Sequence, residues 1–579
     1  MKHLQETADA GRDHIELAFN TRDYENQSHA NKNVETRGFL SNDYNSTRPR
    51  SNYVQRITIL LIFGLFGGLV IIMSVASATL DKVTNLKFPS TVTTAYPSLG
   101  LPGYEGYSWN DVVTQAAGKD VNIMMQAGLP SVHYYWITNY LAPKLLADYN
   151  IKVNFVNADP CPITGATGAV CKTPEIVTAI KQKVAQNSDM SSGAYDIVWI
   201  NGVNFYNMKT NNLLYGPFSN KVPSSANFDF ESDTLKYDFK VPTSGYEMPY
   251  GFAYNIFIYS VSTSAAAAGL TSSTVNTVLK IASWIKTTGN GKFTYTAPAK
   301  LLNSVVTTDN YEGSAFLKQA FYEVAGAGNA GSAAGTFCGT SAYRPSTISA
   351  ATCAADLKYS YKDFTETDFS TIPAKYTTIA PYLFTFLRAL ETDLFTDPSY
   401  GGLNNNYPSS TTSLTTAFTA DSIWVMNTYV ATTPSTLKDA NNNYVGKGYV
   451  LSTGILANSN FFAIPINAKN KLSALVAINY ISSAAAMFQR KSGQLTNPTS
   501  WSQYQAYDSS ANEFTSKGGN WNVAFDTVPT LTNCVDRATL VDAKIPEPSV
   551  AYATQLETDW YWCVFNYGNA PQSVAARCG

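Results

Sequence analysis

The segment Ile57–Leu80 (ITILLIFGLFGGLVIIMSVASATL) does most to constrain this chain, because it runs for roughly 24 residues without a charge. As a helix it is long enough to span the ~30 Å hydrocarbon core of a bilayer with some tilt. A buried helix of a globular domain would keep a polar stripe at this length, and the run has none. Arg48, Arg50 and Arg56 lie just before it, whereas Asp81 and Lys82 follow. The positive-inside rule therefore predicts a cytosolic N-terminus and an extracellular or lumenal remainder, the topology of a type II single-pass protein with a signal anchor. Ala76-Ser77-Ala78 has the small-x-small pattern of a processing site, so a cleaved signal is the rival reading, although 56 residues ahead of the run exceed an ordinary signal flank. Gly64 and Gly68 form a GxxxG spacing that packs helices together in some membranes and is unremarked glycine in others.

Residues 1–56 hold eight basic and eight acidic side chains with few large apolar ones, which predicts a disordered cytosolic tail. Residues 81–107 are rich in Thr, Ser and Pro and read as a juxtamembrane spacer. Over the whole chain charged residues are 14% and the net charge is −2, which leaves no electrostatic footprint for nucleic acid. All seven cysteines follow the apolar segment: Cys161, Cys171, Cys338, Cys353, Cys534, Cys563 and Cys578. That distribution suits disulfides in an oxidising compartment, with Cys161–Cys171 and Cys338–Cys353 the expected pairs, Cys534–Cys563 a third, and Cys578 left over. Among roughly forty Asn residues after the segment none begins an N-x-S/T sequon; Asn26 and Asn45, in the tail, do. An ectodomain without N-glycans is expected.

From Ser108 onward strand and helix patterns alternate. Ser108 caps a helix (SWNDVVTQAA), VNIMM (121–125) reads as a strand, and a helix covers 133–149. IKVNFV (151–156), a helix over 174–186 and YDIVWI (195–200) continue the alternation, which predicts a parallel α/β sheet. In such sheets ligands sit beyond the carboxyl ends of strands, here 126–129, 157–160 and Asn201–Asn204. The aromatic run YEMPYGFAYNIFIYS (246–260) follows, then GKFTYTAP (291–298), helices over 309–326 and 381–395, and strand-like DSIWVMNTYV (421–430). NFFAIPINAKN (460–470) and a helix over 473–490 close the pattern.

The order of these stretches resembles the bacterial periplasmic ABC-type solute-binding proteins of type II topology, extracellular solute-binding family 1, in the thiamine-, polyamine- and iron-type subgroup. The resemblance covers roughly residues 108–505 and rests on YDIVWINGVNFYNMKTNNLLYGPF (195–218), YEMPYGFAYNIFIYS, WIKTTGNGKFTY (284–295), YEGSAF (311–316) and ILANSNFFAIPINAKNKLSALVAINYISSAAA (455–486). It implies an α/β fold of two lobes, one of residues 108–248 plus 465–579 and the other of 258–455. The implied hinge strands are Pro249–Tyr259 and Phe461–Ile466, with a small-molecule solute bound between the lobes. The anchor, the tail and the cysteine-bearing insertion at 327–356 depart from free periplasmic receptors and leave a transporter or surface-assembly partner open.

Histidine restricts the chemistry most, since only His133 lies beyond the apolar segment. A Ser-His-Asp device would rest on that residue alone, and no multi-histidine metal site can be built, so no enzyme and no cofactor are expected. His133 opens a helix beside a predicted cleft loop and is either a ligand contact or a solvent-facing or packing residue. Glu247, before Pro249 and Tyr250, and Glu312, before Gly313 and Ser314, are candidate charge partners for a cation, or ordinary cap and hinge residues. Ser314 and its neighbours offer helix-terminal amides to an anion instead. Asn201 and Asn204 line the cleft or shape a turn. Tyr250, Tyr254, Trp424 and Tyr429 are stacking candidates or core, and a tyrosinate iron site at Tyr134 or Tyr135 is a further alternative. The expected function is capture of a small polar or cationic organic solute by a tethered receptor. A structural or adhesive surface protein that keeps the fold without a ligand is the alternative.

Overall fold

The computed structural model describes residues 98–125, 136–156, 173–186, 189–298, 311–327, 335–367, 371–483, 485–487, 489 and 531–579. The Ile57–Leu80 segment, His133, Tyr134, Tyr135, Cys161 and Cys171 lie outside these residues. Among the described residues no helix is long and apolar enough to cross a membrane.

Helix α1 (Trp109–Ala116) starts at the expected cap: Ser108 accepts from the Asp111 amide while Asp111 takes the Ser108 amide, a closed capping box. Strand β1 (Asp120–Met124) pairs in parallel with β2 (Lys152–Val156), which follows α2 (Ala142–Tyr149). Helix α3 (Thr173–Gln186) leads to β3 (Ile197–Ile200), parallel to β1 and buried at every position, as a strand covered on both faces must be. Helix α4 (Val203–Thr210) and a two-strand ribbon, β4 (Tyr237–Asp238) and β5 (Val241–Pro242), precede β6 (Glu247–Tyr254). The aromatic run 246–260 is thus two strands, β6 and β7 (Ile256–Ser260), which belong to different sheets.

Beyond β7 come α5 (Val278–Thr287), α6 (Tyr311–Ala325), α7 (Ala374–Glu391), α8 (Thr411–Thr419), β8 (Val425–Thr428), β9 (Gly446–Tyr449) and β10 (Ile455–Ala463). Then follow α9 (Lys471–Ile481), β11 (Lys544–Pro546), α10 (Val550–Trp560) and α11 (Gln572–Cys578). A small antiparallel sheet has the order β8-β7-β9. The large mixed sheet runs β11-β10-β3-β1-β2, with β6 on the other side of β10. Mixed pairing arises because β10 enters antiparallel to β3 (Phe461 opposite Ile200) yet parallel to β11 (Ile455 opposite Lys544).

The chain therefore leaves or re-enters the large sheet three times: at Asn255 toward the small sheet, at 450–454 between β9 and β10, and at 547–549 between β11 and α10. The first passage falls inside the expected Pro249–Tyr259. The second is corrected: Phe461–Ala463 are interior to the large sheet, where β10 pairs with β3 and β6, so the passage precedes β10. The placement of all of 465–579 with the first lobe is corrected as well. Helices α10 and α11 pack on α6 and α7, where Trp560 Nε1 donates to the Tyr295 hydroxyl (3.1 Å) and Arg577 forks onto Asp559 (2.6 and 2.8 Å).

Candidate functional site at the junction of the two sheets

Helix α6 is buried from Glu312 to Ala325. A helix covered all round is normally apolar, yet this one carries Glu312, Ser314, Lys318, Gln319 and Glu323, and each has a partner. The Thr411 hydroxyl donates to Glu312 (2.7 Å), and Ser314 donates to Glu557. Gln319 Nε2 donates to the Gly454 carbonyl (3.0 Å). Glu323 accepts from the Leu279 amide (3.2 Å), at the start of α5, and from the Thr453 hydroxyl (2.7 Å). Lys318 and Glu547 form an ion pair of 2.6 Å, their side chains 5% and 3% exposed. The Tyr322 hydroxyl donates to the Pro546 carbonyl (3.2 Å).

These bonds bring all three passages onto one helix. At the first, Asn427 Nδ2 donates both to Asn255 Oδ1 (2.9 Å) and to the Glu312 carbonyl (2.8 Å). Gln319 and Glu323 hold the second, and Lys318 with Tyr322 the third. Gly313 belongs in this helix for a steric reason: the Thr296 carbonyl occupies the space of a Cβ. Burial drives the Glu312 carboxyl above its ordinary range and lifts Glu323 to about 7.

Glu547 faces both ways. On the α6 side it takes Lys318 and the Tyr429 hydroxyl, with the Lys318 ammonium 5.1 Å from the centre of the Phe239 ring. On the other side it lines a cavity together with Asp233, Asp238, Lys240, Asn458 and Ser459. That cavity is about 20 Å³, room for a water-sized guest. Sites for organic ligands are roughly 300–1,000 Å³. Tyr429 is held protonated by burial and by the charge of Glu547.

The sequence-predicted residues divide. Tyr429 and Glu312 meet the junction, and Ser314 reaches it through Glu557. Asn201 stays within the large sheet, donating from Nδ2 to Asn460 Oδ1 on β10 (2.9 Å), while Asn204 is buried with its amide on the Asn201 carbonyl (3.1 Å). Glu247, expected at the edge of a cleft, is instead sealed in the large-sheet half. Strand alternation puts it in line with Ala463 and Val198, on the face packed against α3 and α4, and it is 0% exposed. Tyr250 and Tyr254 are core: Tyr250 packs on Phe462 with ring centres 4.5 Å apart. Trp424 is core as well, under the Lys292 ammonium at 4.6 Å and beside Trp284. Asp238, Lys318 and Glu547 escaped sequence reading. The legible signals were Glu547 between Pro546 and Pro548 after a short strand, and a lysine between the apolar runs 315–317 and 320–322 of one helix.

Two disulfides occur among the described residues, Cys338–Cys353 as expected and Cys563–Cys578. The expected Cys534–Cys563 pair is corrected. Cys534 is a free thiol against the Thr432 carbonyl (3.7 Å), next to Asn533, which takes the Gly448 amide of β9. Cys563 sits instead at α7, where Arg388 binds the carbonyls of Cys563 (3.1 Å) and Cys578 (2.6 Å) and draws the two cysteines together. Among the described residues no group of three His, Cys, Asp or Glu side chains is placed to hold a metal ion.

No family model matches the chain. Protein YnjB of Escherichia coli (strain K12) is 26% identical over 150 residues, which is 26% of this chain and 34% of that protein. The chain thus spans about a third of the length of the curated relative it matches. Solved structures similar to it include an ABC substrate-binding protein of Listeria monocytogenes in complex with cycloalternan, at 11% identity and TM-score 0.46, covering 79% of this chain and 97% of that one. The spermidine/putrescine ABC transporter substrate-binding protein PotD of Streptococcus pneumoniae is similar at 10% identity and TM-score 0.41, covering 77% and 100%. Apo ferric ion-binding protein A of Pasteurella haemolytica follows at 11% identity and TM-score 0.38, covering 76% and 97%.

Proposed function

We propose that the chain is a membrane-tethered extracytoplasmic solute-binding protein that captures a small polar or cationic organic solute at the junction of its two sheets. The observation that carries the reading is the placement of Glu547. It is a carboxylate 3% exposed, bonded to Lys318 and Tyr429 from one side and open to the Asp238–Asn458 cavity on the other. A ligand in this cavity would meet ribbon, β10 and β11 residues and, through Glu547, compete with Lys318 and Tyr429, so its binding would be coupled to the bonds that α6 and the chain just after β8 make to the passage after β11. Burial holds the Asp238 carboxyl well above the ordinary carboxylate range, so the charge a cation or the ammonium of a zwitterion would meet is that of Glu547, in exchange for Lys318. Because the cavity is water-sized, an organic solute enters only when the β4–β5 ribbon moves away from β10 and β11. The resemblance in the order of the sequence stretches supports the same reading.

The test uses full-length protein in detergent with putrescine, glycine betaine and maltose as probes. Putrescine or glycine betaine should raise the unfolding temperature and maltose should not. Glu547→Gln should weaken the effective probe by at least tenfold. A shift by maltose alone, or a Glu547→Gln protein that responds unchanged, contradicts the site.

The same water-sized cavity favours one other reading, a structural or adhesive surface protein that keeps the fold without a solute. Tethering is proposed from the three arginines before Ile57. In sealed vesicles with the cytosolic face inside, external protease should remove the ectodomain and spare the tail; the reverse pattern contradicts the topology.

A further inference from the structure

Both carboxylate oxygens of Glu247 are buried without a hydrogen-bond partner, and the side chain has 0% exposure. Four elements close around it. From the ribbon, Asp238 faces it, itself buried with one oxygen on the Gly202 amide (2.5 Å). From α4 comes Lys209, whose ammonium already donates to the Pro242 carbonyl and to the Ser244 hydroxyl (3.1 Å) and lies over the Phe205 and Tyr246 rings. From β3 and β10 come Val198 and Ala463, which are apolar. The remaining charge nearby, Glu547, acts on Asp238 and is neutralised by Lys318.

An ionised carboxylate in this place would lose its hydration and gain no donor, whereas a protonated one loses far less. We propose that Glu247 is a proton-sensing residue: the packing of α4 and the ribbon on β6 holds its carboxyl neutral, and ionisation as the pH rises loosens that corner of the large sheet. Burial first, and then the neighbouring Asp238, raise its pKa well above the ordinary carboxylate range, against the weaker pull of Lys209. The folded state therefore binds a proton that the unfolded state releases once the pH exceeds about 4.3. This device is independent of whether a solute binds at Glu547.

Denaturant unfolding of the full-length protein from pH 5 to 9 tests the inference against two variants. In Glu247→Gln, a neutral isostere, the unfolding constant should vary with pH by about tenfold less per unit than in wild type until the carboxyl ionises. Glu247→Met, which fills the volume without a polar group, should be at least as stable as wild type at pH 8. A pH dependence unchanged in Glu247→Gln overturns the proposal. So does failure of either variant to fold, because a neutral carboxyl without partners is replaceable by both.

Discussion

Lys318 and Glu547 form an ion pair 2.6 Å long between the middle of α6 and the passage from β11 to α10, with both side chains at most 5% exposed. Removing one partner of a buried pair leaves the other charge unneutralised, which costs about 3–5 kcal/mol. Lys318→Met should lose that much stability in urea unfolding. The double variant Lys318→Met/Glu547→Leu should recover most of it, since apolar replacements of a buried pair are often tolerated. A single variant within about 1 kcal/mol of wild type would mean that the pair is solvated and does not hold the junction.

Glu323 gives a second, separable pH effect. Its carboxyl lies between the start of α5 and Thr453 in the second passage, and burial lifts it from 4.5 to about 7. A carboxyl raised in the folded state contributes stability that is complete below its unfolded pKa and is lost as the pH rises through about 7. At about 1.4 kcal/mol per unit, the loss between pH 4.5 and pH 8 is about 3 kcal/mol. Glu323→Gln should remove that part of the pH dependence in denaturant midpoints while Glu247→Gln leaves it in place. Identical curves for Glu323→Gln and wild type would contradict it.

The Cys563–Cys578 bridge closes a loop of 15 residues at α7. In the chain-entropy model such a loop contributes roughly 3 kcal/mol. Cys578→Ser should lower stability by about that amount. Non-reducing peptide mapping should find Cys338–Cys353 and Cys563–Cys578 linked and Cys534 alkylated. A Cys534–Cys563 peptide would contradict the arrangement at Arg388.

Local patterns in the sequence carry the large sheet well. Ser108 marks the start of α1, and the apolar runs at 121–125, 151–156 and 195–200 become β1, β2 and β3 within two residues at either end. What stays illegible is non-local. The run 246–260 divides at Asn255 because β6 pairs with β10 and β7 with β8 and β9, all far along the chain, where Asn427 also binds Asn255. Glu247 beside Pro249 and Tyr250 looks like a cleft residue, but β6 pairs with β10 in the register that turns it toward α4. Glu547 becomes a candidate only once Lys318 is brought to it, and no spacing in the sequence records a contact made by folding α10 back onto α6.

Native mass spectrometry of the full-length protein, purified without dialysis, decides whether a solute occupies the junction. A small polar or cationic organic molecule should be retained, one per chain, released on unfolding and missing from Glu547→Gln. A chain that flies bare, and whose unfolding is unmoved by putrescine, glycine betaine or maltose, would contradict solute capture and leave the solute-free surface protein.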